Sequence, residues 1–419
     1  MAGTPAPKKT VAAIVTEYRI RSHADNIVTR LLEGYELHWI PVPPRLRVAS
    51  LYTDQVPDND ISRAMAAEHG VPISPTIREA LTLGGDTLAV DGVVLVGEHG
   101  NYPYNEQGQH LYPRRRFFEE TVAVFRESGR VAPVFSDKHL SWSWADAKWM
   151  YDTARELGIP FMAGSSLPLT DRQPPLQVEL GAPVEEIVVT YNGPVESYGF
   201  HALEMAQCLA ERRQGHETGV AAVQALRGEA LWEAWERGDR WSRALQEAAL
   251  GRVTRPDEAP RAYYQRRAAE RRAPRPSAAA PTPARSRIEP ADGRPPEPVE
   301  PCAFLVTYRD GLRVTALLLP DYVRGAGVAV QIDGQPEPLA MRLGGYRLEH
   351  FSKLVWHIEE MVRTGQPTYP VERTLLTTGV LEAAMTSRFQ GGERVETPHL
   401  DVRYQPPSFG WQSVTPWPR

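Results

Sequence analysis

The first half of the chain repeats one pattern: a short apolar run without in–out alternation, then a stretch with helical spacing. The runs cover residues 11–15, 46–51, 92–96, 131–135 and 159–163. A strand with one wet face alternates apolar and polar residues, whereas a strand covered on both faces does not. Between the runs, residues 25–34 place Ile27, Val28, Leu31 and Leu32 on one face of a helix. Helical stretches at 62–69 and 144–157 end at Gly70 and Gly158, the residue type that most readily stops a helix. Residues 116–128 have the same character. Strand–helix–strand units with right-handed crossovers build a doubly wound parallel sheet. The predicted class of the first half is therefore α/β.

The second half reads as α+β. A strand is predicted at 184–191, a helix at 201–213, and Trp-rich helices at 231–237 and 241–250. Strands follow at 303–308, 312–319, 328–332 and 339–343, punctuated by Gly, Asp and Pro as in a mostly antiparallel open sheet. Helices at 350–363 and 374–388 close it. Residues 254–300 differ: ten of these 47 residues are proline and ten are arginine, too little apolar surface to order a segment. The expected domains are 1–168, then 169–253 with 301–419, and 254–300 as a mobile insertion.

A chain of 419 residues exceeds one ordinary core. A net charge of −5 argues against a nucleic-acid binder. Cys208 and Cys302, the two cysteines, write neither a disulfide framework nor a thiolate zinc site. The first apolar run is too short for a secretory core, and no segment reaches the length of a membrane span. The expectation is a soluble, cytoplasmic protein without membrane partners.

Five segments carry a resemblance. Residues 58–81 (DNDISRAMAAEHGVPISPTIREAL) contain a strand-and-helix unit ending in His69-Gly70-Val71-Pro72. Residues 90–100 (VDGVVLVGEHG) pair a buried strand with a polar loop. Residues 136–164 place Asp137-Lys138-His139 at a strand end. Residues 196–204 (ESYGFHALE) and 369–388 (YPVERTLLTTGVLEAAMTSR) complete the series. In order and spacing these resemble the glucose–fructose oxidoreductase, inositol dehydrogenase and MocA-like family from residue 11 to about 388. The resemblance implies a Rossmann-like N-terminal domain and a CH–OH oxidoreductase using NAD or NADP. It further implies a carbohydrate-like small-molecule substrate and a homo-oligomer formed through an exposed sheet face. Asp137-Lys138-His139 stands where the family has Glu-Lys-Pro, and residues 196–204 stand at its D-x-G-x-H-x-x-D segment.

The family's G-x-G-x-x-G turn is missing. Its place is taken by Thr16, Glu17, Tyr18, Arg19, Ile20, Arg21, Ser22 and His23. Glycines there let the backbone approach a pyrophosphate at a helix N-terminus, and Glu17, Tyr18 and Arg19 are expected to crowd that space. Arg19 or Arg21 would supply cationic contacts instead, and Asp54 would hold a ribose hydroxyl. Ser22 and Asp25 are also spaced to cap a helix.

Ligands of open α/β sheets sit beyond the carboxyl ends of the strands. The polar residues expected there are Glu98, His99, Asn101, Tyr102, Asp137 and His139 as substrate contacts. Lys138 and His201 are the catalytic candidates, Lys138 orienting the hydroxyl and His201 removing its proton as a base with a suitable pKa. Alternatively, Glu98, His99, His139 and His201 hold a divalent metal for a lyase or hydrolase reaction, although no HxxxH spacing supports it. A non-catalytic sugar-binding protein is a third reading. The arginines at 114–116 read as a solvated helix start.

Overall fold

The computed structural model describes residues 7–272, 299–344 and 348–407. The chain opens with β1 (Thr10–Val15), α1 (His23–Glu33) and a small hairpin, β2 (Tyr35–Leu37) and β3 (Ile40–Val42). It continues through β4 (Arg47–Thr53), α2 (Ser62–His69), α3 (Ile77–Thr82), β5 (Gly92–Val96), α4 (Arg114–Ser128), β6 (Val134–Asp137), α5 (Trp144–Leu157) and β7 (Phe161–Gly164). The five larger strands form a parallel sheet ordered β4-β1-β5-β6-β7. The predicted doubly wound sheet is present, and the strand order reverses between β1 and β5. Ser22 caps α1 by accepting the Asp25 amide at 3.1 Å, as its spacing predicts.

The second sheet takes β8 (Arg172–Gln173), β9 (Val184–Tyr191), β10 (Val220–Arg227), β11 (Cys302–Tyr308), β12 (Arg313–Leu318), β13 (Ala326–Ile332), β14 (Leu339–Leu343) and β15 (Val395–Glu396). Its order is β15-β10-β11-β12-β9-β13-β14-β8, antiparallel except where β12 meets β9. One face carries α6 (Ser197–Ala210) and α11 (Glu372–Phe389). The other face was expected to lie open. It is covered by α7 (Gly228–Arg237), α8 (Arg243–Leu250) and α9 (Pro260–Arg272). Trp232, Trp241, Leu245 and Tyr263 bury themselves there against Val188, Ala303, Leu317 and Ala329. The sheet face through which the resemblance implies a homo-oligomer is thus covered by the chain's own helices.

Two further expectations change. Part of the Pro/Arg-rich stretch is structured: α9 docks through Tyr263 and Tyr264, whose hydroxyls donate to the Asp321 and Pro320 carbonyls at 3.1 and 2.8 Å. Two adjacent aromatics anchor a helix whose composition otherwise offers no apolar stripe. Residues 273–298 lie outside the described residues. Next, α10 (Glu349–Thr364) does not pack with the second domain's core. Phe351, Leu354, Val355 and Ile358 join the core of β1 and α1. The second half of the chain therefore covers the first domain and forms part of the seam between the sheets. Among the described residues no helix is long and apolar enough to cross a membrane.

Candidate active site

Two strand ends adopt costly backbone. His99, just beyond β5, and Lys138, just beyond β6, both have φ of +70°. For non-glycine residues the left-handed region costs on the order of 1–3 kcal/mol and persists only where surroundings impose it. Lys138 is held by its amide, which donates to the Gly164 carbonyl at 3.1 Å. Its ammonium reaches inward to Glu98 Oε1 at 3.4 Å and to the Ser197 carbonyl at 3.5 Å.

Glu98 is shared. Its second oxygen accepts from Arg114 Nη2 at 2.5 Å, and Arg114 Nη1 donates to His139 Nε2 at 3.0 Å. All four side chains are buried. Burial opposes ionisation of Glu98, but Lys138 and then Arg114 outweigh it and hold the carboxyl well below the usual range. Burial, then the Arg114 charge, drives His139 well below the usual histidine range. His139 is thus a neutral acceptor for Arg114 rather than a ligand aimed at substrate. The expectation that residues 114–116 are solvated fails for Arg114.

Beside this cluster, His23 Nδ1 lies 2.6 Å from Asp137 Oδ2, and its ring meets His99 edge-on at 5.4 Å. Burial pushes His99 down to about 3. His201, at the second domain's α6, places Nδ1 2.6 Å from Ser165 Oγ. Its ring is edge-on to Tyr191 and Tyr198. Burial first, then the charges of Lys138 and His23, hold His201 well below its ordinary value. His350, from α10, bonds Ser166 Oγ at 2.8 Å through Nδ1. Lys138, Glu98, His23, His201 and His350 therefore share one electrostatic neighbourhood at the seam between the sheets. Arg114, Tyr191, Tyr198 and His350 were not among the sequence-predicted site residues.

The other predicted residues lie differently. Tyr18 turns into the core and is fully buried, its hydroxyl 2.6 Å from Thr29 Oγ1, so it does not crowd a phosphate. Thr16 donates across the sheet's reversal point to the Glu98 carbonyl at 2.7 Å. Glu17 is buried and pairs with Arg19 at 2.5 Å. Asp54 is already taken: Tyr52 and Tyr102 donate at 2.7 and 2.6 Å, and Arg116 at 2.5 Å. Tyr102 thus supports Asp54 rather than a substrate. Asn101 is exposed, and its backbone pairs with the Gln55 side chain. The proposed metal set of Glu98, His99, His139 and His201 does not gather, because Glu98 and His139 are turned onto Arg114. Among the described residues the one cluster with three ligand atoms within 4.8 Å is His38, Asp171 and Glu349. Lys353 pairs with Asp171 there.

These positions test whether a dinucleotide fits. A pyrophosphate at the first turn would meet the Glu17 carboxylate. It would also meet the helix-start carboxylate of Asp25, which accepts the Arg21 amide at 2.7 Å. A ribose diol would have to displace Tyr102 or Arg116 from Asp54. The residues present do not fit a dinucleotide gripped in the manner the fold normally uses.

No family model matches the sequence, and a comparison with curated proteins returns no match. Solved structures do match. GenD2 from gentamicin A biosynthesis, solved with NAD, superposes with a TM-score of 0.56 at 14% identity, covering 94% of this chain and 98% of its own. The chain has the fold of this structure. The myo-inositol dehydrogenase of Lactobacillus casei, solved with NAD(H) and myo-inositol, gives 0.53 at 13%, covering 93% and 97%. The aldose–aldose oxidoreductase of Caulobacter crescentus, complexed with glycerol, gives 0.51 at 14%, covering 93% and 100%. At such identities the likeness is one of fold, and it is the two-domain fold that the sequence resemblance implies.

Proposed function

We propose that the chain is an oxidoreductase acting at a CH–OH or C=O carbon of a sugar, polyol or related carbohydrate. Lys138 and His201 handle the proton on that oxygen. One observation carries the reading: a lysine forced into left-handed backbone at a strand end, buried against Glu98, with a neutral histidine of the other domain in its field. A neutral imidazole and an ammonium near one oxygen can exchange its proton at neutral pH. Substrate reaches them from the seam, with His23, His99, Tyr191 and Tyr198 as neighbours.

The ligands of the fold neighbours support NAD or NADP, which when bound would exchange hydride with the substrate carbon. The first turn and Asp54 do not fit one, so the chemistry argued from this chain is proton transfer alone. That misfit favours a second reading, a lyase or hydrolase on the same cleft without a dinucleotide.

Thermal-shift titration with NADH and NADPH separates the two readings. Specific binding at 100 times Kd stabilises by about 2.7 kcal/mol. A shift with either nucleotide, together with loss of about 10²–10⁴ in kcat/KM for Lys138→Ala, supports the first reading. No shift at millimolar nucleotide sinks it and leaves the second.

A further inference from the structure

The strongest unexplained contact at the site is the one behind His201. Ser165 follows Gly164, whose φ of +124° turns the chain at the end of β7. The serine is fixed on both sides. Its amide donates to Glu204 Oε2 at 3.3 Å. That carboxylate is held in turn through Oε1 by the hydroxyls of Thr374 at 3.2 Å and Thr377 at 2.7 Å. Ser165 Oγ accepts the Leu167 amide at 3.0 Å and lies 2.6 Å from His201 Nδ1.

A serine hydroxyl carries one proton. Among the described residues, that proton has one acceptor with hydrogen-bond geometry, His201 Nδ1. Donation to Nδ1 leaves the ring's proton on Nε2, because a neutral imidazole has one N–H and one lone pair. We infer that Ser165 is a positioning residue that fixes this tautomer. His201 then presents its N–H on the side of the ring away from Ser165, and with the Lys138 charge in the same neighbourhood the resting site takes a carbonyl oxygen in preference to a hydroxyl. Two such donors on one oxygen suit a ketone or aldehyde of a sugar, whose lone pairs accept both. A hydroxyl meeting the same two donors gains no acceptor for its own proton. His201 thus acts first as a hydrogen-bond donor that polarises the carbonyl, the reverse of the base expected from sequence, and the proton that the oxygen gains comes from the Lys138 ammonium. Lys138, Glu98, His23, His350, Tyr191 and Tyr198 surround it. The substrate class rests on the proposed function; the tautomer does not.

Long-range ¹H–¹⁵N correlation spectra of the full chain with ¹⁵N-labelled histidine test this, with His201→Gln assigning the resonances. The expected wild-type pattern at pH 7 is protonated Nε2 and bare Nδ1. Ser165→Ala shifts His201 towards the other tautomer, and Ser165→Thr, which keeps the hydroxyl, restores it. Protonated Nδ1 in the wild type, or an unchanged pattern in Ser165→Ala, overturns the assignment. The wild-type spectrum decides even if a variant fails to fold. Titration with dihydroxyacetone and glycerol, a carbonyl and its polyol, reads the substrate class at the same resonances. The carbonyl compound should bind about tenfold more tightly, the worth of one well-made hydrogen bond. Equal or tighter binding of glycerol overturns the carbonyl preference. If neither perturbs His201 while the Nε2–H pattern holds, the proposed function fails and the role of Ser165 stands.

Discussion

Arg114→Leu removes a buried guanidinium and leaves its partners behind. Arg114 is 1% exposed, serves both Glu98 and His139, and lies over the Tyr112 ring at 4.8 Å. The fold even clears space for it: a Cβ at Gly97 would sit 2.6 Å from Arg114 Cγ. Breaking a buried ion pair from one side costs about 3–5 kcal/mol. Glu98 retains Lys138, so the lower end applies, about 3 kcal/mol, roughly a 150-fold change in the unfolding equilibrium. Arg116→Leu is the internal control. Its pair with Asp54 is half exposed on the arginine side and is worth at most about 1 kcal/mol. Urea denaturation at pH 7 compares the two variants. The pH dependence has a fixed sign. The Glu98 carboxyl is depressed in the folded state, so its stabilisation is present above its unfolded pKa of about 4.3 and is lost as pH falls through the folded value. With one cation gone the depression shrinks, so the gap between wild type and Arg114→Leu narrows below about pH 4. Equal losses for the two variants, or a loss under about 1 kcal/mol for Arg114→Leu, would refute the argument from burial.

Gly164→Ala should cost about 1–3 kcal/mol and depress turnover, because the new methyl would lie 2.6 Å from Thr374 Oγ1 and 2.8 Å from Glu204 Oε2; wild-type stability in chemical denaturation would show the clash is absorbed. His139 and His357 are buried and neutral, the latter pushed down to about 3 by burial. Stability is then full above about pH 6.5 and falls by about 1.4 kcal/mol per pH unit for each as the unfolded chain takes up protons; a denaturation midpoint that stays flat between pH 6.5 and 5 contradicts this. With its second sheet covered on both faces, the chain should elute with a single chain's mass in light scattering, and a stable dimer would show that another surface is sticky.

Much of the architecture was legible because the parallel strands are buried on both faces. Residues 92–96, 62–69, 144–157, 184–191 and 339–343 appear as elements with the predicted bounds. What was missed shows why periodicity runs out. The hairpin of β2 and β3 turns through His38 and Trp39 at φ +49° and +67°, without the Asn-Gly pair that announces such turns. α9 is fixed by two tyrosines in an arginine-rich segment, a tertiary effect that composition hides. Arg114 looked like its neighbours Arg115 and Arg116. Yet it lies three, four and seven residues before Phe117, Phe118 and Thr121, on the buried stripe of α4. That spacing is a signal, but a charge on an apolar stripe is meaningful only once Glu98 is known to wait there. Asp54 and Tyr102 show the converse: sequence marks them as polar strand-end residues, and only the fold shows that they hydrogen-bond to each other.

The missing glycines and the surviving cleft follow from different constraints. At the first turn, Tyr18 fills core space that a glycine cannot, and Thr16 ties β1 to the loop after β5. The turn therefore gains packing and cross-strand bonds where a cofactor-binding turn must leave backbone bare. The turn still reaches β6 through His23, which bonds Asp137, but Lys138, Ser165 and His201 are carried by β6, β7 and α6. His23 also meets Phe351 of α10 edge-on at 5.2 Å, next to the His350 that α10 brings to the seam. A chain can rebuild its first turn and keep Lys138 and His201 where they are because the packing of Tyr18 and Thr16 and those two residues sit at separate strand ends. If restoring glycines at residues 17, 19 and 22 produced nucleotide binding while Asp54 stayed bonded to Arg116, the turn alone would be the obstacle. If Arg116→Ala were also required, the ribose end would be closed independently, and two separate features of the fold would oppose a dinucleotide.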